Sequence, residues 1–157
     1  MNVIDIMTRS PKTIRHDASL KDALELMESV GCRHLPVLSR EKHLVGIISD
    51  RDCRLALNSP NIMRERWQDE EVISQTRVVS IMSPAPIIVE SDVPAAEAAR
   101  LMLTHRISAL PVMRGETLIG IVTTSDILMA FMTLEKKLTS LPDHTANDNN
   151  NNSHIML

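Results

Sequence analysis

The sequence predicts a mixed α/β (α+β) fold made of two tandem repeats, each about β-α-β-β-α, packed as a pseudo-twofold pair. Three observations lead there. The chain matches itself when shifted by 75 residues. Each copy carries the same order of strand-like and helix-period segments. And a copy of about 55 residues is marginal as an independent core, so two must bury together what one cannot.

The self-match runs through both copies. Val3, Ile6 and Met7 fall on Val78, Ile81 and Met82, Pro11 on Pro86, and Asp17 on Asp92. Ala23, Leu26 and Met27 fall on Ala98, Leu101 and Met102, and Leu35-Pro36-Val37 on Leu110-Pro111-Val112. One deletion in the turn after Glu41 and Glu116 changes the offset to 74. Leu44, Gly46, Ile47, Asp52 and Ala56 then meet Leu118, Gly120, Ile121, Asp126 and Ala130. Seventeen of fifty-four paired positions are identical, far beyond what unrelated segments share, so the chain is an internal duplication.

In the first copy, Lys12 to Arg15 reads as a short strand. Ser19 to Val30 has helix spacing, with Leu20, Ala23, Met27 and Val30 on one face and Gly31 as the stop. His34 to Leu38 and Leu44 to Ile48 are apolar runs joined by the charged turn Ser39-Arg40-Glu41-Lys42, a hairpin pattern. A short helix follows over Asp50 to Leu57. The second copy repeats the order. Its strand is Ile87 to Val89, and its helix runs from Pro94, suited to a first turn, to Thr104. The hairpin is Leu110 to Met113 and Leu118 to Val122, with Gly115 in the turn. The last helix spans Thr124 to Lys136.

The resulting organisation is a first domain over 1–57, a linker over 58–77, a second domain over 78–136 and a tail over 137–157. Asn58-Ser59-Pro60 breaks the preceding helix. The charged stretch Arg64 to Glu71 holds the only Trp; periodicity leaves it open between a helical turn and a surface strap. The tail, with its asparagine run 147–152, has no apolar period and is expected to be disordered. Its end, Ile155-Met156-Leu157, is a minor candidate for a docking peptide.

Composition excludes several functions. The net charge of -3 argues against a surface that neutralises duplex phosphates. With Trp67 and Phe131 the only aromatics, no base-stacking platform for single strands is available. Four isolated glycines cannot build a Walker or dinucleotide loop. No signal peptide and no membrane-length apolar stretch is seen, so a soluble cytoplasmic protein with reduced Cys32 and Cys53 is expected. The histidines lack zinc spacing, the matching methionines read as core or cleft wall, and no thiol–base pair is supported locally.

The repeated chemistry lies in Gly46-Ile47-Ile48-Ser49-Asp50-Arg51-Asp52 and Gly120-Ile121-Val122-Thr123-Thr124-Ser125-Asp126. Each is a glycine, an apolar strand end, a hydroxyl and, three residues later, an aspartate. A hydroxyl and an acid at that spacing form a capping box. The same helix N-terminus exposes N–H donors that attract phosphate, and an aspartate can accept the hydroxyls of a ribose. The two roles are compatible.

This order of elements, with Leu-Pro-Val and Gly-Ile-x-Ser/Thr-x-x-Asp each present twice, resembles a pair of CBS domains (cystathionine-β-synthase domains, a Bateman module). The resemblance covers about residues 1–136. It implies two clefts on a pseudo-twofold axis that take AMP, ADP, ATP or S-adenosylmethionine, with Mg²⁺ as an optional companion and no required cofactor. It implies a non-catalytic regulatory module, engaged in sensing such as that of energy state, that relays occupancy to an unidentified partner protein. Nucleic acid and membrane are not expected partners. It also implies a homodimer through the helices, with Leu20/Ala23/Met27, Ala95/Ala98/Leu101/Met102 and Leu128 to Phe131 as contacts. The alternative is a ligand-free interaction scaffold acting through homodimerisation, its aspartates serving only as caps.

Carried over residue by residue, the resemblance puts Asp126 on the ribose in one cleft, with Thr123, Thr124 and Ser125 near phosphate and Met7, Thr8, Thr13 and Ile14 at the base. The mirror cleft takes Asp52, with Ser49 and Arg51, and Met82, Ser83 and Ile88 at the base. The residues before Leu-Pro-Val reach the phosphates in the family, which adds Arg33 and His34 to the Asp52 side and Ser108 and Ala109 to the other. On that assignment the Asp52 side is basic and the Asp126 side neutral, so the former is expected to prefer the more highly charged ligand.

Overall fold

The computed structural model describes residues 1–57 and 66–140, and for 66–69 the backbone alone. The asparagine-rich stretch, the terminal Ile155-Met156-Leu157 and the first part of the expected linker lie outside the described residues. The first repeat gives α1 (Val3–Ile6), β1 (Thr8–Arg9), β2 (Ile14–Arg15), α2 (Leu20–Val30), β3 (His34–Leu38), β4 (Leu44–Ser49) and α3 (Asp50–Leu57). Helix α4 (Arg66–Gln75) follows, so the charged stretch is helical from Arg66 onward. The second repeat gives a 3-10 turn (Val78–Ser80), β5 (Ser83–Pro84), β6 (Val89–Glu90), α5 (Ala95–His105), β7 (Ala109–Arg114), β8 (Thr117–Thr123) and α6 (Thr124–Thr139).

Local chemistry explains the main boundaries. Ser19 caps α2 in a reciprocal box: its hydroxyl accepts from the Asp22 N–H, and the Asp22 carboxylate accepts from the Ser19 N–H at 2.8 Å. Gly31 ends that helix at φ +73, a left-handed conformation that glycine enters without a Cβ penalty. Pro94 precedes α5, but the structure makes it the cap and starts the helix at Ala95. Helix α6 continues three residues beyond the expected Lys136. Leu20, Ala23 and Met27 form the buried stripe of α2, and Ala95, Ala98 and Met102 that of α5.

Two four-stranded sheets result, in the orders β2-β3-β4-β5 and β1-β8-β7-β6. β2 runs parallel to β3 and β6 to β7, and each hairpin, β3-β4 and β7-β8, is antiparallel. The outer antiparallel strand comes from the other repeat. Thr8 of β1 pairs with Ile121 of β8, and Ser83 of β5 pairs with Ile47 of β4. The repeats therefore exchange their opening segments. Val3 and Met7 sit in the second core with Leu110, Val112 and Val122; Val78 sits in the first with Leu35, Val37 and Ile48.

The exchange is locked by close packing. A Cβ on Gly120 would lie 2.5 Å from Met7 Sδ and 3.1 Å from the Thr8 carbonyl oxygen; Gly46 is crowded by Met82 in the same way. Glycine lets the exchanged segment lie this near the hairpin without displacing Met7 or Met82. Among the described residues, no helix is long and apolar enough to cross a membrane.

Candidate functional site

Two clefts open where exchanged strands, hairpin ends and helix N-termini meet. The Asp52 cleft, of about 640 Å³, is lined by His34, Ile47, Ser49, Arg51, Asp52 and Leu55 of the first repeat. The second repeat adds Ser83 to Ile87 and Arg106 to Ala109. The Asp126 cleft, of about 280 Å³, is lined by Thr8, Pro11, Lys12 and Val30 to His34 of the first repeat. Ser108, Ile121 and Thr123 to Asp126 complete it. Ile47 and Ile121 hold equivalent places at the backs of the two.

At the heart of each cleft a strand turns directly into a helix. Asp52 Oδ2 accepts from the Ser49 N–H at 2.8 Å and from the Ser49 hydroxyl at 2.7 Å. Asp126 Oδ2 accepts from the Thr123 N–H at 2.7 Å and from the Thr123 hydroxyl at 2.9 Å. One oxygen of each carboxylate thus caps its helix, α3 or α6. Among the described residues, the other oxygen has no hydrogen-bond donor, and both aspartates line their clefts. A carboxylate with one oxygen fixed and one open is a positioned acceptor for paired hydroxyls.

Of the sequence-selected residues, Thr8, Thr123, Thr124, Ser125 and Asp126 come together in one cleft. His34, Ser49, Arg51, Asp52 and Ser83 come together in the other. Several do not line the cleft expected of them. Met7 is buried in the second core and Ile14 in the first, while Met82 packs against the first. Strand alternation is the reason: with Thr8 turned to the cleft, its neighbour Met7 turns inward. Thr13 lies in a separate groove with Lys42, His43 and Glu116, and Ile88 in another with Leu44 and Met113.

The charge assignment also changes. Arg33 lines the Asp126 cleft rather than the Asp52 cleft, and Lys12 joins it there. The expected neutral side therefore holds two cations. On the other side, Arg51 is joined by Arg106, which the sequence reading passed over. Its only local signal was position: Arg106 stands where the first repeat has the helix-ending Gly31.

His34 and Ser108 line both clefts. Their side chains meet across the repeats, with His34 Nε2 2.9 Å from Ser108 Oγ. Burial holds the His34 imidazole below its ordinary value; Asp50 opposes that shift and Arg33 adds to it. The hydrogen bond between His34 and Ser108 forms a common wall between the two cavities. Cys32 lines the Asp126 cleft, and burial raises its thiol pKa. Among the described residues, no three His, Cys, Asp or Glu side chains cluster as a metal site.

A family model for the CBS domain matches residues 3–59 and 78–133. A CBS domain-containing protein of Dictyostelium discoideum is 38% identical over 127 residues, covering 80% of this chain and 88% of that protein. The solved structure of CBSX2 in complex with AMP is 32% identical, with a TM-score of 0.70, and covers 85% of this chain and 98% of that one. The CBS domain pair of protein MJ0100 was solved in complex with 5′-methylthioadenosine and S-adenosyl-L-methionine. It is 26% identical with a TM-score of 0.71, covering 85% and 98%.

Proposed function

The chain belongs to the CBS domain family, and from that premise we propose that it is a non-catalytic regulatory module. It binds an adenosine nucleotide or derivative in the clefts at Asp52 and Asp126 and reports occupancy to a partner protein. The observation that carries this reading is the pair of aspartates, each with one oxygen spent on a helix cap and one open to its cleft. Ser49 and Thr123 fix those carboxylates; the Asp50 and Thr124 N–H groups donate to the Arg33 and Ser108 carbonyls, which leaves the Arg51 and Ser125 N–H groups as the first-turn donors for a phosphate. Complexes of two relatives with AMP and with S-adenosyl-L-methionine support the ligand class. Mg²⁺ enters only as the companion of a polyphosphate.

The shared His34–Ser108 wall supplies a route by which one cleft senses the other. A ligand that moves this hydrogen bond from one side changes the cavity on the other side, and by linkage the effect is reciprocal.

A second reading, an interaction scaffold that homodimerises, is favoured by one surface. Leu128, Met129, Phe131, Met132 and Leu138 of α6 are exposed, Phe131 at 62%. A contiguous apolar helix face of this kind is a typical assembly surface. A homodimer through α6 is compatible with the sensor reading, so ligand binding decides between the two.

Titration calorimetry with AMP, ADP, ATP and S-adenosylmethionine is the test. Binding that Asp52→Asn or Asp126→Asn weakens at least tenfold, with little change in thermal stability, supports the sensor. Equal affinity in wild type and both variants, or no binding at all, favours the scaffold.

A further inference from the structure

Building on the reading of the clefts as adenosine sites, we propose that Arg106 makes the Asp52 cleft selective for the number of phosphates on its ligand. Arg106 ends helix α5 at φ +55. The equivalent residue of the first repeat, Gly31, ends α2 at φ +73. Both are left-handed cap positions, where a side chain is disfavoured and glycine is the usual occupant. The second repeat nevertheless holds an arginine there, and that arginine lines the cleft of Asp52.

That guanidinium does not stand alone. Arg51, in the first turn of α3, lines the same cleft from the other repeat. Among the described residues, neither arginine forms an ion pair. Two arginines without ion pairs, one from each repeat, line one cleft and offer donors suited to phosphate oxygens rather than to a nucleoside. The Asp126 cleft has cations too, but they are Lys12 and Arg33, and position 31 contributes no side chain. A Cβ there would meet nothing within 4 Å. The two clefts thus carry equal numbers of cationic side chains in different places, and the Asp52 cleft has the larger volume for a phosphate chain.

The variants follow from the pseudo-symmetry. Arg106→Gly restores the cap residue of the first repeat and removes the left-handed penalty, so it should fold at least as well as wild type. Ile47 and Ile121 methyl signals each report mainly on one cleft, because each lines one of them. Adenosine, AMP and ATP are titrated against both signals. In Arg106→Gly, ATP affinity read at Ile47 should fall about tenfold or more, AMP less, and adenosine hardly at all, with only the smaller change at Ile121 that the shared His34–Ser108 wall transmits. Gly31→Arg should raise ATP affinity at Ile121. An unchanged ATP-to-adenosine ratio at Ile47 overturns the assignment of Arg106 while leaving the adenosine sites intact. Failure of all three ligands to bind wild type overturns both.

Discussion

Gly120→Ala probes the packing that holds the two repeats together. Gly120 lies in β8, opposite Arg9 of the exchanged strand β1. The added Cβ would sit 2.5 Å from Met7 Sδ, 3.2 Å from Met7 Cγ and 3.1 Å from the Thr8 carbonyl oxygen. The sulfur must retreat by roughly 1 Å to reach ordinary contact, and Met7 is already buried among Val3, Val89 and Val112. Overpacking of this kind costs about 1–3 kcal/mol, and the flexible thioether favours the lower half of that range, about 1–2 kcal/mol. For a chain of this length, each kcal/mol lowers Tm by about 2–4 °C, which gives a fall of roughly 2–8 °C. Thermal and urea unfolding measure it. A double-mutant cycle with Met7→Ala assigns the cause. Met7→Ala alone leaves a cavity and costs about 2–5 kcal/mol, but with Met7 gone the new methyl meets no sulfur. The coupling should then be about 1–2 kcal/mol. Costs that add to within about 0.5 kcal/mol would refute the reasoning, because Met7 would not be what the methyl meets. Gly46→Ala should behave in the same way through Met82.

The Arg15 guanidinium, with Arg40 on the same carboxylate, holds Asp17 at about 2 rather than 3.8. Because the folded value lies below the unfolded one, this contribution to stability is complete above about pH 4 and is lost as pH falls towards 2. Arg15→Gln with Arg40→Gln should return the Asp17 carboxyl resonance to an ordinary titration; an unchanged midpoint would mean that the arginines are not the cause. Burial, with Asp52 and Asp50 adding to it, pushes the Cys53 thiol up to about 11, while Cys32 is less buried and lines the Asp126 cleft. A thiol reagent at pH 8 should therefore label Cys32 before Cys53, and saturating AMP should slow the reaction at Cys32. Full labelling of Cys32 at AMP saturation would show that AMP does not occupy that cleft.

Much of this fold is legible in the chain because the elements between the exchanged strands carry local signals. The stripe Leu20/Ala23/Met27, the serine cap and Gly31 together fix α2, and the apolar runs around Pro36 and Pro111 mark the hairpins. The exchange is not legible. Two-residue strands have no period to detect, and Thr8 finds its partner at Ile121, in the other repeat. Helix α4 was undecided for a related reason: its sequence, RWQDEEVISQ, has no continuous apolar stripe. In the site, the aspartates and their hydroxyl partners were readable because a capping box is a motif of spacing. Arg33 was assigned to the other cleft because a position within a repeat does not reveal on which side of the axis its loop opens.

Duplication makes the differences between the halves informative. Gly46 and Gly120, the two Leu-Pro-Val runs, and Asp52 and Asp126 are the same in both copies, and each has a structural task that recurs by symmetry: close approach, core strand, helix cap. Several polar positions that differ lie on the cleft walls. Lys12 stands against Ile87, Gly31 against Arg106, Arg33 against Ser108, His34 against Ala109 and Arg51 against Ser125. Each cleft sets two cationic residues beside one aspartate, an arrangement that an entering anion would stabilise under the binding reading. Because His34 and Ser108 belong to both walls, divergence at either position alters both cavities at once. The shared aspartates therefore give the two clefts a common frame, and the residues that differ give the adjoining cavities different walls.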